Sequence, residues 1–553
     1  MRNRHGELLV EVRPKLQDKV PLNLENGVKK RTPEHKDVLI MQVPNVKESQ
    51  YYAGMAALKA YFTKKLPDIK VFCLDPITPF FDKNIHLIED QFGLDFNTYT
   101  KQGKFMDLGK YTEMHNVMKM VEKEVKKYNP MYLGFSLIDG NVDASLYTTQ
   151  YIKKRFPNIK IVLGGKGVDL LRGGLMAAKN MDGSNTYNYK EFDFIDFIVY
   201  GDGEIPFSTI IKNQNSPDKY AEYHNTQGLA FRQDKVWHGW DSELANEKYS
   251  HIDFSNMPTP DYSDFRETVA WKRTMGGAIP IILSRGCPFK CSFCSIPTAI
   301  PNFNYRDMDD CIDELEVWYN RGHRDFFIHD SIINFRPDWL KDYCERIVAK
   351  NWQPIHWGGN MRLMKPMRDI ETLRLYNKAG FYNMITGLES ASPKVLRHMK
   401  KYSSIQGIRE IFENIREINK DKDPNAPNFE NQPIRIMLQL IVGYINESEE
   451  DFQMTLDFVE EYSDVIYEVL TCSLFLCWYP LVDRWEKEGN WIQFKNEVEW
   501  DTEFNSLEDR LDRGRRMEDL CIKLGMEYNI YLRESISRSS DRQNRENADG
   551  SKL

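Results

Sequence analysis

Apolar segments alternate with amphipathic segments along most of the chain, and this alternation constrains the fold more than any other feature. In the first half, apolar residues near helical spacing indicate helices such as Tyr52 to Lys65, whereas short apolar runs indicate strands. The strands predicted there are Val38 to Val43, Val71 to Leu74, Tyr132 to Leu137, Ile159 to Leu163 and Phe194 to Tyr200. Because strands that alternate with helices form parallel sheets, we expect a doubly wound α/β domain that binds ligands at the carboxyl ends of its strands.

The alternation restarts at Ile281, which indicates a second sheet. Its further strands are predicted at Phe326 to His329, Ile355 to Trp357, Asn383 to Gly387, Arg435 to Val442 and Ser473 to Leu476. Helical patterns such as Met308 to Arg321 separate them. Six strand–helix units predict a partial (β/α)6 barrel of the TIM type, with reactive groups at the carboxyl ends of the strands.

A chain of 553 residues is too long for a single core, and its pattern divides it into several parts. The bridge between the two sheets is irregular and contains the closely spaced Pro258 and Pro260, which favour an extended linker. We predict an N-terminal extension (1–35), a Rossmann-like domain (36–212), a linker (213–275), a partial barrel (276–485), a helical C-terminal region (486–536) and a disordered tail (537–553).

Composition narrows the range of partners and compartments. The net charge is −8 with acidic and basic residues interspersed, so no nucleic-acid partner is expected. No stretch approaches the ~18 uncharged apolar residues of a membrane helix, and the charged N-terminus has no apolar core behind it. Six of the nine cysteines are scattered singly, which predicts reduced, buried thiols. We therefore expect a soluble cytoplasmic protein.

The other three cysteines are crowded into the run Ser-Arg-Gly-Cys-Pro-Phe-Lys-Cys-Ser-Phe-Cys, as Cys287, Cys291 and Cys294. Thiolates on one short loop are the usual ligands of iron–sulfur clusters, and a four-iron cube normally takes four of them. Three leave one iron open to an outside ligand, which suits chemistry better than scaffolding. The alternative is a zinc knuckle, for which Cys311 and His323 are the nearest further ligands downstream.

This cysteine spacing, with Phe293 just before the last thiol, resembles the signature of the radical S-adenosylmethionine (SAM) superfamily. The resemblance implies a [4Fe-4S] cluster whose open iron chelates SAM. It also implies a one-electron donor such as flavodoxin or ferredoxin, whose electron cleaves SAM to methionine and a 5′-deoxyadenosyl radical. Phe293 is then expected to cover part of the adenine.

Further residues at the predicted strand ends match elements of the same family. Glu389 and Ser390 lie in a Gly-x-Glu-Ser run, whose Glu accepts hydrogen bonds from the SAM ribose in family members. Asp330 and Ser331 follow the second barrel strand, where the family holds the SAM amino group; the alternative for Asp330 is a helix N-cap.

Two more residues are assigned to SAM by the resemblance. Gly443 resembles the family element in which a missing side chain makes room for adenine. Arg362 follows the third barrel strand and is a candidate for the SAM carboxylate, the alternative being a solvated loop arginine.

Small residues at the predicted strand ends of the first domain resemble a second cofactor signature. In order and spacing they are similar to the cobalamin-binding domain that precedes many radical SAM domains. They are Gly134, Ser136, Gly164, Gly165, Gly201, Gly203 and Glu204. Asp202 stands where that family usually has Glu, and no Asp-x-His-x-x-Gly string supplies a lower cobalt ligand. His86 lies in the expected region without the flanking residues, so an ordinary loop histidine is the alternative there.

Together these resemblances imply a cobalamin-dependent radical SAM enzyme. The activity expected is C-methyl transfer to an unactivated carbon through the 5′-deoxyadenosyl radical and methylcobalamin. One alternative is a non-methylating cyclase, ring-contracting or oxidising enzyme with the same cofactors. Another is a non-catalytic sensor that has kept a degenerate cobalamin or cluster site. No motif names the substrate.

Overall fold

The first half of the chain forms a seven-stranded sheet in the computed structural model. The model describes residues 35–43, 53–74, 112–138, 141–168, 192–239, 249–265, 278–294, 303–401, 404–423, 426, 431–472, 482, 485–494 and 500–530. The strands of the first sheet are β1 Val38–Met41, β2 Val71–Leu74, β3 Tyr132–Ser136, β4 Lys160–Gly164, β5 Phe197–Val199, β6 Leu229–Gln233 and β7 Val236–His238. The helices around it are α1 Ala53–Lys65, α2 Thr112–Tyr128, α3 Val142–Arg155, α4 Glu204–Asn213 and α5 Lys219–His224.

The strand order is β2-β1-β3-β4-β5-β6-β7, and β1 to β5 pair in parallel. Side chains of β1 alternate between two cores, because Val38 and Ile40 join one apolar cluster and Leu39 and Met41 join another. Helices therefore cover both faces of the sheet, which confirms the doubly wound prediction. The order reverses between β1 and β3, and a sheet of this kind binds ligands outside the carboxyl ends of its strands at such a point.

An antiparallel hairpin extends this sheet beyond the predicted strands. Strands β6 and β7 pair with β5 and with each other, although residues 229–238 fall in the segment predicted as an irregular linker. The hairpin is short and only Leu229, Ala230 and Phe231 are buried, so its apolar period is too brief to stand out in the sequence.

The second half of the chain builds a parallel sheet of seven strands in the order β18-β15-β14-β13-β12-β11-β8. The strands of this half are β8 Ile279–Ile281, β9 Ser284–Arg285, β10 Asn304–Tyr305, β11 Asp325–Ile328, β12 His356–Met361, β13 Phe381–Glu389, β14 Arg435–Ile441, β15 Ile466–Cys472, β16 Gln493–Phe494, β17 Trp500–Asp501 and β18 Glu527–Ile530. Its helices are α6 Met308–Asn320, α7 Pro337–Ala349, α8 Ile370–Lys378, α9 Pro393–His398, α10 Ile405–Asn419, α11 Glu449–Glu461 and α12 Leu507–Leu524, with single 3₁₀ turns at Phe254–Asn256 and Lys365–Arg368.

The second sheet contains the six predicted strands, but two details differ: the position of the sixth strand and the presence of a seventh. The sixth strand is β15, whereas the predicted residues 473–476 lie outside the described part of the chain. Strand β18 pairs in parallel with β15, in a region predicted to be wholly helical. Gly525 ends α12 in the left-handed conformation, and the four residues of β18 are too few to show a period of their own.

The segment 249–265 joins the two halves through buried contacts. Phe254 and Met257 pack into one small apolar cluster with Ala53 and Ala57 of α1. Beside that cluster, the Lys59 Nζ lies 2.7 Å from Asp264 Oδ2 and 3.1 Å from Asp261 Oδ2. Tyr262 Oη donates to the carbonyl of Pro280 at 3.0 Å, within β8, the first strand of the second sheet. The segment predicted as a linker is thus tied to both sheets.

None of the helices in the described ranges combines the length and the apolar composition that crossing a membrane requires.

Candidate functional site

The three clustered cysteines lie on one loop that follows β9 at the carboxyl end of the second sheet. The side chains of Cys287, Cys291 and Cys294 are all half-buried, and none of them is in a disulfide. The backbone N–H of Cys294 donates to the carbonyl of Cys291 at 3.1 Å, so the last two thiols sit on a tight turn. This is the edge at which a partial barrel carries its reactive groups.

Buried hydrogen bonds fix this loop from behind. Ser292, between two of the cysteines, donates its backbone N–H to the carbonyl of Met399 at 2.8 Å. Its Oγ lies 2.7 Å from Tyr444 Oη, and Tyr444 Oη also lies 3.3 Å from His398 Nδ1. The role of these residues was not predicted from the sequence. Ser292 and Tyr444 lie beside residues of the family motifs but do not belong to those motifs, so the sequence gives little indication of their contacts.

Arg362 is directed at the thiols. Its Nη1 lies 3.4 Å from the Sγ of Cys291, and its guanidinium carbon lies 4.0 Å from the ring centroid of Phe289. Its backbone is held as well, because Arg362 N–H donates to Asn334 Oδ1 at 3.0 Å and Asn334 Nδ2 donates to the Arg362 carbonyl at 2.8 Å. The residue expected at the SAM carboxylate therefore contacts a cluster cysteine in this structure.

A second cation is paired with the carboxylate predicted for the ribose. Lys401 Nζ donates to Glu389 Oε1 at 2.7 Å, and both residues are at least nine-tenths buried. Glu389 has a φ of +66°, in the left-handed region that non-glycine residues seldom adopt. Its carboxylate turns back over Gly387, where a Cβ would overlap it. Lys401 was not predicted, because only the fold brings it from the segment after α9 to Glu389.

Two opposing influences act on the thiol of Cys287. Burial raises the pKa of the Cys287 thiol, and Arg362 and Lys401 act in the opposite direction. A thiol must lose its proton to ligate a metal, so positive charge at this loop assists ligation.

Asp330, expected at the SAM amino group, is bonded to its own fold in this structure. Its Oδ1 accepts from the N–H of Leu283 at 2.9 Å and its Oδ2 accepts from Ser284 Oγ at 2.5 Å. Burial raises its pKa to about 7. The N-cap alternative is wrong, because the next helix, α7, begins at Pro337 with Arg336 at its N-cap. The neighbouring Ser331 is half-buried.

Gly443, expected to pack against adenine, lies beside α12 in this structure. It has a φ of +77°, and a Cβ there would overlap the side chain of Arg510 from α12. The missing side chain therefore makes room for Arg510, whose guanidinium carbon lies 3.7 Å from the Trp500 ring centroid. The role of Gly443 toward adenine stays a prediction.

Two other predicted contacts with SAM sit at the same end of the sheet. The Oγ of the fully buried Ser390 accepts from the N–H of Ser392 at 3.2 Å, so it stabilises the turn after β13. Phe293 is half-buried against the apolar cluster that includes Tyr444 and Trp485. The roles of Phe293, Glu389 and Ser331 toward SAM stay predictions.

The glycines expected at cobalamin mostly have a packing reason within the fold. A Cβ at Gly134 would lie 3.2 Å from the Phe207 ring, and one at Gly165 would lie 2.5 Å from the carbonyl of Leu137. Gly201 approaches the backbone of Ser250 too closely for any side chain, and Gly203 is the N-cap of α4. The protein's own backbone thus requires glycine at Gly165 and Gly201, where φ is also positive.

Ser136 and Gly164 are half-buried at the carboxyl edge, where they end β3 and β4. Nearby, the buried Asn141 bridges β1 and β3 by donating to the carbonyl of Val43 at 3.0 Å. A ligand at the point where the strand order reverses would meet this edge. His86 lies outside the described residues.

Glu204 and Asp202 form ion pairs that connect the two sheets. Arg285, two residues before Cys287, places Nη1 3.0 Å from Asp202 Oδ1 and Nη2 2.7 Å from Glu204 Oε1. Glu204 is 1% exposed, so its carboxylate, expected at a cofactor, faces Arg285 in this structure. The ion pairs bring the carboxyl end of β5 directly to the cysteine loop.

The described residues offer no site for a single metal ion. No group of three His, Cys, Asp or Glu side chains among them converges on one point. A zinc ion holds sulfur ligands at about 2.3 Å, which demands such convergence. The extra ligands considered for zinc lie elsewhere: Cys311 is buried in the core, and His323 packs against Trp318. Three thiols on one loop, beside two cations, fit a larger anionic cluster instead.

Known proteins similar to this chain agree with an iron–sulfur cluster on the three cysteines. Residues 281–459 match the family model described as the Radical SAM superfamily. The anaerobic magnesium-protoporphyrin IX monomethyl ester cyclase of Rubrivivax gelatinosus is 25% identical over 402 residues, 71% of this chain and 65% of that protein. The bacteriochlorophyllide d C-12(1)-methyltransferase of Chlorobaculum tepidum is 26% identical over 330 residues, 58% of this chain and 67% of that protein. The chain thus spans about two thirds of the length of these relatives.

Two solved structures are similar to this chain in fold. The radical SAM methyltransferase TsrM from Kitasatospora setae matches with a TM-score of 0.54 at 16% identity, over 79% of this chain and 73% of that chain. The enzyme OxsB matches with a TM-score of 0.54 at 13% identity, over 78% of this chain and 53% of that chain. At such low identity the likeness concerns the fold, and it confirms the predicted α/β class.

Proposed function

Since residues 281–459 form a radical SAM domain, we propose that the chain is a cobalamin-dependent radical SAM enzyme that methylates an unactivated carbon. The observation that carries the proposal is the buried ion pairing of Arg285 with Asp202 and Glu204. It links the carboxyl edge of a doubly wound sheet to the loop with three thiols. Two cofactors bound at these edges would lie side by side, as transfer of a group between them requires.

The cofactors supply the difficult chemistry: a [4Fe-4S] cluster with SAM yields a 5′-deoxyadenosyl radical, and cobalamin carries a methyl group. The protein contributes binding and orientation. Cys287, Cys291 and Cys294 hold the cluster, and the bonds from Ser292 to Met399 and Tyr444 keep their loop in place. Glu389, oriented by Lys401, is the proposed acceptor for the SAM ribose hydroxyls.

Cobalamin is proposed to bind at the carboxyl edge of the first sheet. Ser136 supplies a hydroxyl there and Gly164 a backbone without a side chain, and the two residues are paired between β3 and β4. The fold supports this placement, because TsrM and OxsB, which are similar to this chain in fold, are described with cobalamin bound.

A non-methylating reaction is the second candidate, because the relative that aligns with 71% of this chain is named a cyclase. The two candidates differ in what happens to SAM. A methylating enzyme consumes SAM in two ways and forms both S-adenosylhomocysteine and 5′-deoxyadenosine. A cyclase forms 5′-deoxyadenosine without S-adenosylhomocysteine.

The first experiment is anaerobic reconstitution of the full chain with iron, sulfide and hydroxocobalamin. We expect about four irons per chain, a corrinoid absorption band that survives gel filtration, and 5′-deoxyadenosine after addition of SAM and dithionite. The variant with Cys287, Cys291 and Cys294 all changed to Ala should lose the iron and the 5′-deoxyadenosine.

Cys344→Ala is the matched control, since Cys344 is a buried thiol away from the loop. It should keep wild-type iron and SAM cleavage. Wild-type protein that binds no iron, or that cleaves no SAM when fully loaded, contradicts the radical SAM proposal and favours a sensor. Absence of the corrinoid band contradicts cobalamin dependence, and 5′-deoxyadenosine without S-adenosylhomocysteine selects the cyclase.

A further inference from the structure

We propose that Arg362 raises the reduction potential of the iron–sulfur cluster by placing a positive charge and an N–H donor on the sulfur of Cys291. The inference rests on the proposed function, because it requires a cluster on the three cysteines. It goes further by assigning to Arg362 a redox role that differs from binding the SAM carboxylate.

The geometry of Arg362 is fixed on three sides. The Nη1 to Cys291 Sγ distance of 3.4 Å is within hydrogen-bonding range for sulfur. The guanidinium plane lies against Phe289, whose ring packs edge-on against Phe335 at a centroid distance of 5.7 Å. The buried Asn334 bonds both the N–H and the carbonyl of Arg362. Since backbone and side chain are both held, the charge stays at the sulfur.

The charge of Arg362 is also uncompensated in the described part of the chain, where no carboxylate lies within ion-pair distance of it. The other cation near the cysteines differs in this respect, because Lys401 is neutralised by Glu389 at 2.7 Å. Arg362 therefore contributes a net positive charge at the ligand sulfur, whereas the Lys401 and Glu389 pair contributes a dipole.

Reduction adds one electron to the cluster, with no bond made or broken in the protein. The electron comes from the external donor, and the cluster with its three thiolates becomes more negative by one charge. A fixed cation and a hydrogen bond to a ligand sulfur stabilise the more negative state more strongly, and both are recognised determinants of cluster potential. Arg362 therefore makes the cluster easier to reduce.

The test is a potentiometric titration of reconstituted full-length protein, followed by the EPR signal of the reduced cluster. In Arg362→Gln, the ratio of reduced to oxidised cluster at the wild-type midpoint should fall about tenfold, equivalent to about 59 mV for a one-electron couple. Arg362→Lys keeps the charge but not the planar donor, so its midpoint should lie between the two. Arg374→Gln changes an exposed arginine on α8 and should leave the midpoint unchanged.

Iron content separates the possible outcomes. An unchanged midpoint in fully loaded Arg362→Gln overturns the inference while the proposed function stands. If Arg362→Gln does not retain iron, Arg362→Lys decides, and a midpoint equal to that of the wild type overturns the inference. Wild-type protein without a cluster overturns the inference together with the proposed function.

Discussion

The two parallel sheets carry similar signals at their carboxyl ends but use them differently. At the first sheet, the glycines and the acidic pair that resemble a cofactor motif are largely engaged by the protein itself, as Gly201 with Ser250 and Glu204 with Arg285 show. At the second sheet, the thiols are half-buried and two cations approach them. A glycine motif can therefore reflect packing of the chain, whereas cations that converge on clustered thiols indicate chemistry.

The charges of the two regions differ in the same way. Arg285 is neutralised by two carboxylates and connects the sheets, so its role is structural. Arg362 is directed at a thiol and is proposed to act on the cluster. Substitution of Arg285 should therefore lower the free energy of unfolding, whereas substitution of Arg362 should change the reduction potential of the cluster.

The largest effect is expected from Arg285→Leu. The substitution leaves the buried Glu204 and the largely buried Asp202 without their cation, and loss of one partner from a buried ion pair costs about 3–5 kcal/mol. The free energy of unfolding, measured in urea by tryptophan fluorescence, should fall by that amount.

Arg346→Leu is the control for this change. Arg346 pairs with Asp309 and Asp342 on the surface, where ion pairs contribute about 0–1 kcal/mol. Equal losses in the two variants would contradict a structural role of Arg285 in joining the sheets.

A smaller loss is expected from Gly201→Ala at the edge of the first sheet. The left-handed φ of +83° costs an alanine roughly 1–2 kcal/mol, and its Cβ would also push against Ser250. Gly54 in α1 is the matched site, since nothing lies within 4 Å of a Cβ there. Gly54→Ala should stabilise by roughly 0.5–1 kcal/mol. If Gly201→Ala also stabilises in urea unfolding, Gly201 is not needed for packing.

Much of the architecture could be predicted from the sequence, because it depends on periodicity along the chain. Both parallel sheets and the helix from residue 308 follow from local apolar patterns. The β6–β7 hairpin and β18 could not be predicted, since strands of three to five residues carry too little period.

Only those parts of the candidate site that come from one short stretch of sequence could be predicted. The cysteine run is visible by itself, but the partners of its residues come from distant segments. Lys401 reaches Glu389 from 12 residues away, and Tyr444 reaches Ser292 from 152 residues away. Nothing in the sequence reveals that the side chain of Arg510 packs beside Gly443. Such contacts are set by tertiary packing, which a motif does not encode.

A pH-dependent effect is expected from Asp330, a buried carboxyl at the second edge that forms no ion pair within the described part of the chain. Because burial raises its pKa to about 7, the folded state keeps a proton that the unfolded chain releases near pH 4. Stability should therefore fall as pH rises between these values, by at most about 1.4 kcal/mol per pH unit. We expect urea unfolding from pH 5 to pH 8 to show this fall in the wild type, and in Asp313→Asn on the exposed side of α6, but not in Asp330→Asn. A difference between wild type and Asp330→Asn that stays constant from pH 5 to pH 7 would contradict a raised pKa of Asp330 in the folded state.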